Sequence, residues 1–502
     1  MIWALLSGLL YGLAQPGWGI WPLGWVCLVP LLHTLRGKGA TESFLLGLSA
    51  GTVAFLSSVY WIVVAVNRYG AIPLPIALPI LLLLSLYLGS YWGLYGLGTS
   101  WMMATGPIRG TVGPAALWVL LEYLRGHLFG GFPWALLAHS HWKVLAFIQI
   151  CDITGAYGLS FLLAAGSAAF ALVLERHKGA FRAVAFVTIS SLGVLLYGWA
   201  KLKEPLPEPS LRVGIVQGNV EQNLKWDEAY SRQILTIHKE LTLRLISEAP
   251  TMVIWPETAF PDYFPEGELS EAMRQVAKEA RRYLLFGSLR RSRGRVYNSA
   301  FLLSPEGEVM GWYDKLHLVP FGEFIPMRRY LEPIFGQLAS LGDITPGQEM
   351  TLFHLPGGDF SVLICFEVIF PELSRLALRR GADFLVTITN DAWFGRTAAP
   401  YQHMAQVVFR AVEGRVWIAR AANTGISGVV DPKGRIVRAT ELFSKEAFTA
   451  LVGKTSGLTL YCRLGDWFVL LAGAIFIASA SLRRPNRDRS SSPGVPGCRG
   501  RP

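Results

Sequence analysis

Cys365 closes an apolar run, FSVLIC, and about six residues later PELSRLALRRGA predicts a helix from Pro371. Reactive groups in α/β sheets collect at such places, the carboxyl ends of strands. A strand-end cysteine alone is commonly an inert small hydrophobe. Two further positions change that reading: Glu257 terminates TMVIWPE and Lys315 follows VMGWYDK, so a carboxylate, an ammonium and a thiol are expected along one sheet edge. Singly, Glu257 and Lys315 read as solvated surface ion-pair partners; together with Cys365 they form a reactive set. A thiol with a pKa of about 8.5 is mostly protonated at neutral pH, whereas a nearby carboxylate can take its proton and a cation can stabilise the thiolate. Glu257 is therefore expected to act as general base and Cys365 as nucleophile. Lys315 faces the oxygen that becomes negative when a carbonyl is attacked, helped by the backbone N–H of Phe366. The reaction class is acyl transfer through a thioester.

The elements that must position these groups follow a linker, KLKEPLPEPS at 201–210, whose prolines stop the preceding apolar segment. Strands are expected at LRVGIVQ, TMVIW, YLLFGSL, NSAFLLS, VMGWY, FSVLIC, DFLVTIT, VWIARAA and ISGVV, with turns at Pro305-Glu306-Gly307 and Asp431 to Gly434. Helices are expected from about Asp227, Ser270, Pro371 and Gln402. Alternating apolar strands and helices with hairpins imply a layered α/β sandwich with a mixed sheet.

The rest of the chain has another composition. With 52% hydrophobic and 16% charged residues among 502, it is wrong for a soluble protein. Apolar runs at about 2–15, 18–35, 43–65, 72–98, 108–124, 156–174 and 181–199, and another at 466–482, give about eight spans, the first two short and one of these two a candidate re-entrant segment. Met1 to Leu13 lacks a basic leader and runs on into apolar sequence, so it reads as a retained span. The organisation expected is a span domain at 1–204, an α/β domain at 205–462, a last span at 463–483 and a disordered basic tail at 484–502. Arg36, Lys38, Arg109, Arg176, His177, Lys178, Arg182 and the tail arginines fall on one face, which the positive-inside rule makes cytoplasmic. Arg68, Arg125 and Lys143 are the thinner opposite set, putting the α/β domain on the periplasmic side of a bacterial inner membrane. Glu122 and Arg125 are spaced to pair at (i, i+3), with a lipid-headgroup contact as the alternative. The net charge of +11 reads as span-orienting charge, not a nucleic-acid surface. Cys27, Cys151, Cys365, Cys462 and Cys498 are too scattered for a disulfide framework or a metal site.

WPE at 255–257, YDKLHLVPFGEFIP at 313–326 and ICFE at 364–367 resemble, in order and spacing, the Glu, Lys and Cys motifs of the nitrilase superfamily. LKWDE at 224–228, HLVPFGEFIP, NDAWFG at 390–395 and RAANTGISG at 420–428, behind several spans, are similar to its membrane-embedded branch, the apolipoprotein N-acyltransferase family. The resemblance implies an αββα nitrilase-like domain inserted before the last of eight spans. It implies transfer of an acyl chain from a glycerophospholipid, through the cysteine thioester, to the N-terminal amine of a diacylglyceryl-cysteine lipoprotein. Glu257, Lys315 and Cys365 take the catalytic positions, Glu323 in PFGEF is the auxiliary carboxylate holding Lys315 and Cys365, and Glu367 and Trp226 also match positions the family uses. Phe366 departs from a tyrosine more usual there, which removes a hydroxyl and leaves the N–H.

Asn298, opening NSAFLLS, is a candidate for active-site support, and His403 reads as structural. Tyr330, Leu331, Ile334, Phe335, Leu338 and Leu341 recur at helical spacing, as core or as a lid on the membrane surface. Trp393 and Phe394 could line an acyl-chain entrance. No cofactor or metal is expected, the partners are membrane lipids and the two substrates, and a monomer is expected. The alternatives are a membrane-anchored carbon-nitrogen hydrolase acting on a small substrate, and a lipid-binding or transport module; few buried polar residues in the spans and the complete reactive trio weigh against the latter.

Overall fold

In the computed structural model the residues described are all except 71, 104–105, 223–227, 327, 332–343 and 482–502. Trp226, Phe335, Leu338 and the basic tail lie outside the described residues.

Among the described residues the strands form two six-stranded sheets. The first runs β12 (Glu446–Val452), β1 (Leu211–Gln217), β2 (Met252–Ile254), β3 (Tyr283–Ser292), β4 (Arg295–Leu303), β5 (Val309–Asp314). The second runs β11 (Ile436–Ala439), β10 (Gly428–Val430), β9 (Ile418–Ala422), β8 (Phe384–Thr389), β7 (Gly358–Ile364), β6 (Phe353–Leu355). Both are mixed: β1, β2 and β3 are parallel, as are β7, β8 and β9, with antiparallel strands outside them.

The strands are apolar on both faces because each face meets a different layer. Ile254, Leu285 and Leu302 point to one core, shared with Val362, Val386 and Ala419 of the second sheet. Val253, Leu284, Phe286 and Phe301 point the other way, against Leu241, Met273 and Val276 of the helices Glu228–Leu245 and Ser270–Ala280. Helices Pro371–Arg379 and Ala399–Gly414 cover the second sheet, which completes an αββα sandwich.

The remaining helices are apolar. Four among the described residues are long and apolar enough to cross a membrane: Ala40–Ser58, Leu74–Ser100, Ala156–Leu174 and Ala180–Lys203. Ile2–Ala14 has 13 residues, about 20 Å of helix against a hydrocarbon core of about 30 Å. The run at 18–35 is not one helix: a short 3₁₀ turn, Trp21–Trp25, precedes Val29–Thr34, each with a proline in its first turn. The run at 43–65 breaks after Ser58 and resumes as Trp61–Val64 and a π turn to Tyr69.

Helix Arg109–His127 carries Glu122 and Arg125, both buried. Instead of closing on each other they reach across to the loop that follows. Arg125 Nη1 donates to the Phe132 and Trp134 carbonyls at 2.7 Å, and Glu122 Oε1 accepts from the Leu137 N–H at 2.7 Å. Tyr11 donates to the Ala135 carbonyl in the same loop. Arg125 is thus a buried clamp and drops out of the loop charges that orient the chain.

One end of the helical part gathers Arg36, 3.9 Å from Glu175, and Gly179 against Pro107. The other end carries the sandwich through the helix Ala399–Gly414, every residue of which is buried except Tyr401. Gln402 Oε1 accepts from the indole N–H groups of Trp61 at 3.0 Å and Trp134 at 2.7 Å, while its Nε2 donates to the Ser58 carbonyl at 2.9 Å. Arg415 pairs with Asp152 at 2.8 Å, and Glu413 accepts from the Ala156 N–H at 3.2 Å. Lys433 donates to the Leu202 carbonyl at 3.0 Å and to that of Glu204.

Candidate active site

The groups singled out at the ends of β2, β5 and β7 come together from two sheets and not along one sheet edge: Glu257 and Lys315 follow strands of the first sheet and Cys365 a strand of the second. Glu257 lies three residues beyond β2, on a turn that continues along β3 through Trp255 N–H to the Leu285 carbonyl and Phe260 N–H to the Gly287 carbonyl. This turn passes so close that a Cβ at Gly287 would meet the Thr258 nitrogen at 2.4 Å and Glu257 Cα at 2.7 Å. Glycine is needed there to admit the carboxylate-bearing backbone.

Lys315 follows β5 directly, and its N–H is held by the Asn298 carbonyl at 2.9 Å. Its ammonium is almost completely buried, 2.9 Å from Glu323 and 3.4 Å from Glu257 Oε1. Asn298 Nδ2 bridges the two carboxylates, donating to Oε1 of each at 2.8 Å. Burial works to lower the Lys315 pKa, but Glu323 first and Glu257 second overcome it, and the net shift is upward. The lysine therefore keeps its charge. Glu323 is fixed in turn by the Val319 N–H at 2.8 Å, and the Asn390 N–H donates to Glu257 Oε2 at 2.9 Å.

Cys365 sits one residue past the end of β7, not in the strand, and opens a 3₁₀ turn, Cys365–Ile369. Its φ is +55°, a left-handed conformation unusual for a side chain of any size. A sharp turn of this kind lifts the sulfur off the strand line and leaves the residue part-exposed. Burial and then the Glu257 carboxylate push its thiol pKa up, with Lys315 pulling the other way. Burial and Glu257 thus both act against a thiolate at rest.

Glu367 ties the cysteine turn to the lysine loop. Its Oε1 accepts from the Tyr313 hydroxyl at 2.7 Å, the Leu316 N–H at 2.7 Å and the His317 N–H at 3.1 Å, and its Oε2 from the Ile364 N–H at 2.7 Å. Burial pushes its carboxyl up to about 7 in spite of these donors. Phe366 turns its ring toward Phe370, 5.2 Å between centroids, and His317, 6.0 Å.

Trp393 and Phe394, one motif on the sequence, separate in space. The Trp393 ring stays exposed and lies 5.8 Å from that of Tyr69, in the helical part. Phe394 turns inward, 4.7 Å from Trp61 and 6.1 Å from Trp134. It packs the junction between sandwich and helices.

His403, read as structural, lies at the site. Its Nε2 is 3.1 Å from the Cys365 carbonyl oxygen and its Nδ1 2.9 Å from Asp391 Oδ1. Asp391 Oδ2 pairs with Arg420 at 2.7 Å. Burial raises the Asp391 pKa, but Arg420 and then His403 take it well below the usual carboxylate range. Both Asp391 and Arg420 belong to motifs quoted from the sequence, NDAWFG and RAANTGISG; nothing in their spacing points to a histidine between them. The carboxylate, cation and elbow cysteine, with a neighbouring backbone N–H, suit attack on a carbonyl and a covalent acyl intermediate. Among the described residues no group of His, Cys, Asp and Glu is arranged to hold a metal ion.

Residues 7–169 match the family described as apolipoprotein N-acyltransferase N-terminal domain, and 212–454 the family described as carbon-nitrogen hydrolase. An apolipoprotein N-acyltransferase of Geobacter metallireducens is 38% identical, covering 96% of this chain and 95% of its own. One from Gloeobacter violaceus is 34% identical over 94% of this chain and 92% of its own. Among solved structures, an amidase from Nesterenkonia sp. superposes with a TM-score of 0.40 at 18% identity, covering 53% of this chain and 97% of that one.

Proposed function

Because the chain belongs to the apolipoprotein N-acyltransferase family, we propose that it moves a fatty acyl chain from a glycerophospholipid to the N-terminal amine of S-diacylglyceryl-cysteine apolipoproteins through a thioester on Cys365. The observation that carries the reading is the Lys315 ammonium held between Glu257 and Glu323 across from a nucleophile elbow at Cys365.

In the first half-reaction Glu257 takes the Cys365 proton and the sulfur attacks the ester carbonyl. The oxyanion faces Lys315 and the Phe366 N–H. Collapse breaks the ester C–O bond, and the departing lysophospholipid oxygen takes the proton from Glu257. In the second, the lipoprotein amine, with a pKa near 8 and so partly neutral, attacks the thioester carbonyl while Glu257 accepts a proton from nitrogen. The C–S bond breaks, the sulfur recovers a proton, and an amide remains. The cycle is ping-pong.

The protein is a bacterial membrane protein. We place it in the inner membrane with the sandwich on the periplasmic side and the C-terminus in the cytoplasm, as a monomer. The gathering of Arg36 and the loops around Pro107 and Gly179 at the end away from the sandwich supports that orientation. Trp393 beside Tyr69 supports delivery of acyl chains from the bilayer side.

Mass spectrometry after incubation with phospholipid tests the mechanism. A fatty-acyl adduct on Cys365, absent in Cys365→Ser and discharged by a diacylglyceryl peptide amine, is expected. An intact enzyme that N-acylates the peptide without ever carrying the adduct would overturn it, and hydrolysis of small amides in its place would favour a membrane-anchored carbon-nitrogen hydrolase.

A further inference from the structure

The contact between His403 and the backbone of Cys365 has a consequence for the oxyanion site. A peptide group is planar and trans, so its C=O and N–H point in opposite directions. Whatever holds the Cys365 carbonyl also aims the Phe366 N–H, through one rigid plane. His403 Nε2 holds that carbonyl at 3.1 Å.

A carbonyl oxygen only accepts, so Nε2 must carry a hydrogen. Nδ1 lies 2.9 Å from Asp391 Oδ1 and 3.1 Å from Arg420 Nη2; a neutral ring that keeps its hydrogen on Nε2 accepts from Arg420 there, whereas donating to Asp391 as well takes the imidazolium. The histidine itself is immobilised. Asp391 is fixed by the Thr389 hydroxyl at 2.9 Å and by Arg420, whose Nε donates to the Ile426 carbonyl at 3.0 Å. The rings of Trp134 and Phe394 close over the imidazole at 5.6 and 6.3 Å. His403, Asp391 and Arg420 are all buried. An ordered network this deep, ending on the carbonyl of a residue with φ of +55°, holds a conformation that the chain would otherwise leave.

We propose that His403 is a positioning residue for the oxyanion site: by holding the Cys365 carbonyl it aims the Phe366 N–H at the developing negative oxygen. The assignment rests on Cys365 being the acylated nucleophile, as proposed above. His403 touches no substrate and moves no proton in the cycle.

Two reactions of the same sulfur separate this role from a merely structural one. Acylation by phospholipid develops an oxyanion; alkylation by iodoacetamide displaces iodide and develops none at the site. In His403→Leu the single-turnover rate of acyl-enzyme formation should fall about 10- to 100-fold, less than the roughly 100- to 1,000-fold loss when an oxyanion donor is removed outright, while the alkylation rate of Cys365 stays within about 3-fold. His403→Gln, which can still donate to the carbonyl, should recover most of the acylation rate. A parallel fall in both reactions, or acylation unchanged in His403→Leu, would overturn the proposal. Failure of the unsubstituted enzyme to form the adduct would instead strike the thioester mechanism itself.

Discussion

The ammonium of Lys315 stands 2.9 Å from a carboxylate oxygen of Glu323. Glu257, the proposed base, is farther from it, at 3.4 Å. One buried cation thus leans toward the carboxylate that takes no proton in the cycle, and its contact with Glu257 is the longer of the two. Removing Glu323 should let Lys315 close on Glu257 and leave Asn298 a single carboxylate partner. Glu323→Ala is expected to slow acyl-enzyme formation by about 100-fold, the scale of a lost acid–base contribution, and Glu323→Gln by less. Rapid-quench measurement of the first half-reaction checks this; a loss confined to the second half-reaction would contradict it.

The Cys365 thiol is pushed upward by burial and by Glu257. Its ionisation in the resting enzyme therefore lies above the ordinary thiol range, and the thiolate fraction grows as pH rises. Alkylation by iodoacetamide should climb from pH 7 through pH 9 without levelling. Glu257→Gln removes the charge that opposes the thiolate, so it should raise alkylation at a given pH while abolishing acyl transfer, which needs the base. A plateau below pH 7.5 would mean a preformed thiolate and would refute the general-base reading.

How much of this was legible in the chain depends on the distance over which each residue acts. Glu257, Lys315 and Cys365 could be read because each lies at or just beyond the end of an apolar strand, and strand periodicity is local. Strands β6, β11 and β12 were not read, being three, four and seven residues with little apolar alternation. The last completes its sheet only by pairing with β1, Leu211 against Val452, a contact no window covers. The helix Ala399–Gly414 was legible as a helix, but its burial on all sides comes from sheet and membrane part together. That is why His403 reads as structural from the sequence. The first two runs read as short, one of them a candidate re-entrant segment, and the break in the second has a local cause. Apolarity through 18–35 predicts a span, while prolines and glycines there cut it into short turns.

Glu367 makes a pH prediction whose sign is unusual for a carboxylate. Its folded-state pKa is pushed up to about 7, from an ordinary value of 4.5, by burial. The folded state then binds the proton more tightly than the unfolded chain. Its contribution is fully present below pH 4.5 and is lost as pH rises toward 7 and beyond, a change of about 3 kcal/mol. In Glu367→Gln that dependence disappears, although the amide places a donor against backbone N–H groups and lowers stability overall. The thermal midpoint of the native protein should therefore exceed that of Glu367→Gln by more at pH 5 than at pH 8. A gap that widens with rising pH would show that the hydrogen bonds outweigh burial and that the carboxylate is ionised throughout.

Gln402 joins the sandwich to the helices next to His403, and its amide oxygen accepts from two indoles at once, Trp61 and Trp134. An oxygen with two lone pairs stays satisfied when either donor is removed, so Trp61→Phe and Trp134→Phe should each cost little through this bond. Gln402→Leu is different, since it strands both indole N–H groups and the Ser58 carbonyl in a buried place. At about 1–3 kcal/mol for each orphaned group, the hydrogen-bonding loss should exceed that of the two tryptophan substitutions combined, whose own cost comes from the smaller phenylalanine ring. Because the neighbouring residue holds the Cys365 carbonyl, loosening here should also slow acylation of the surviving folded enzyme. Thermal inactivation and single-turnover acylation of the three variants in detergent micelles check both consequences. Equal effects of Gln402→Leu and Trp134→Phe would mean that the three hydrogen bonds contribute nothing beyond packing.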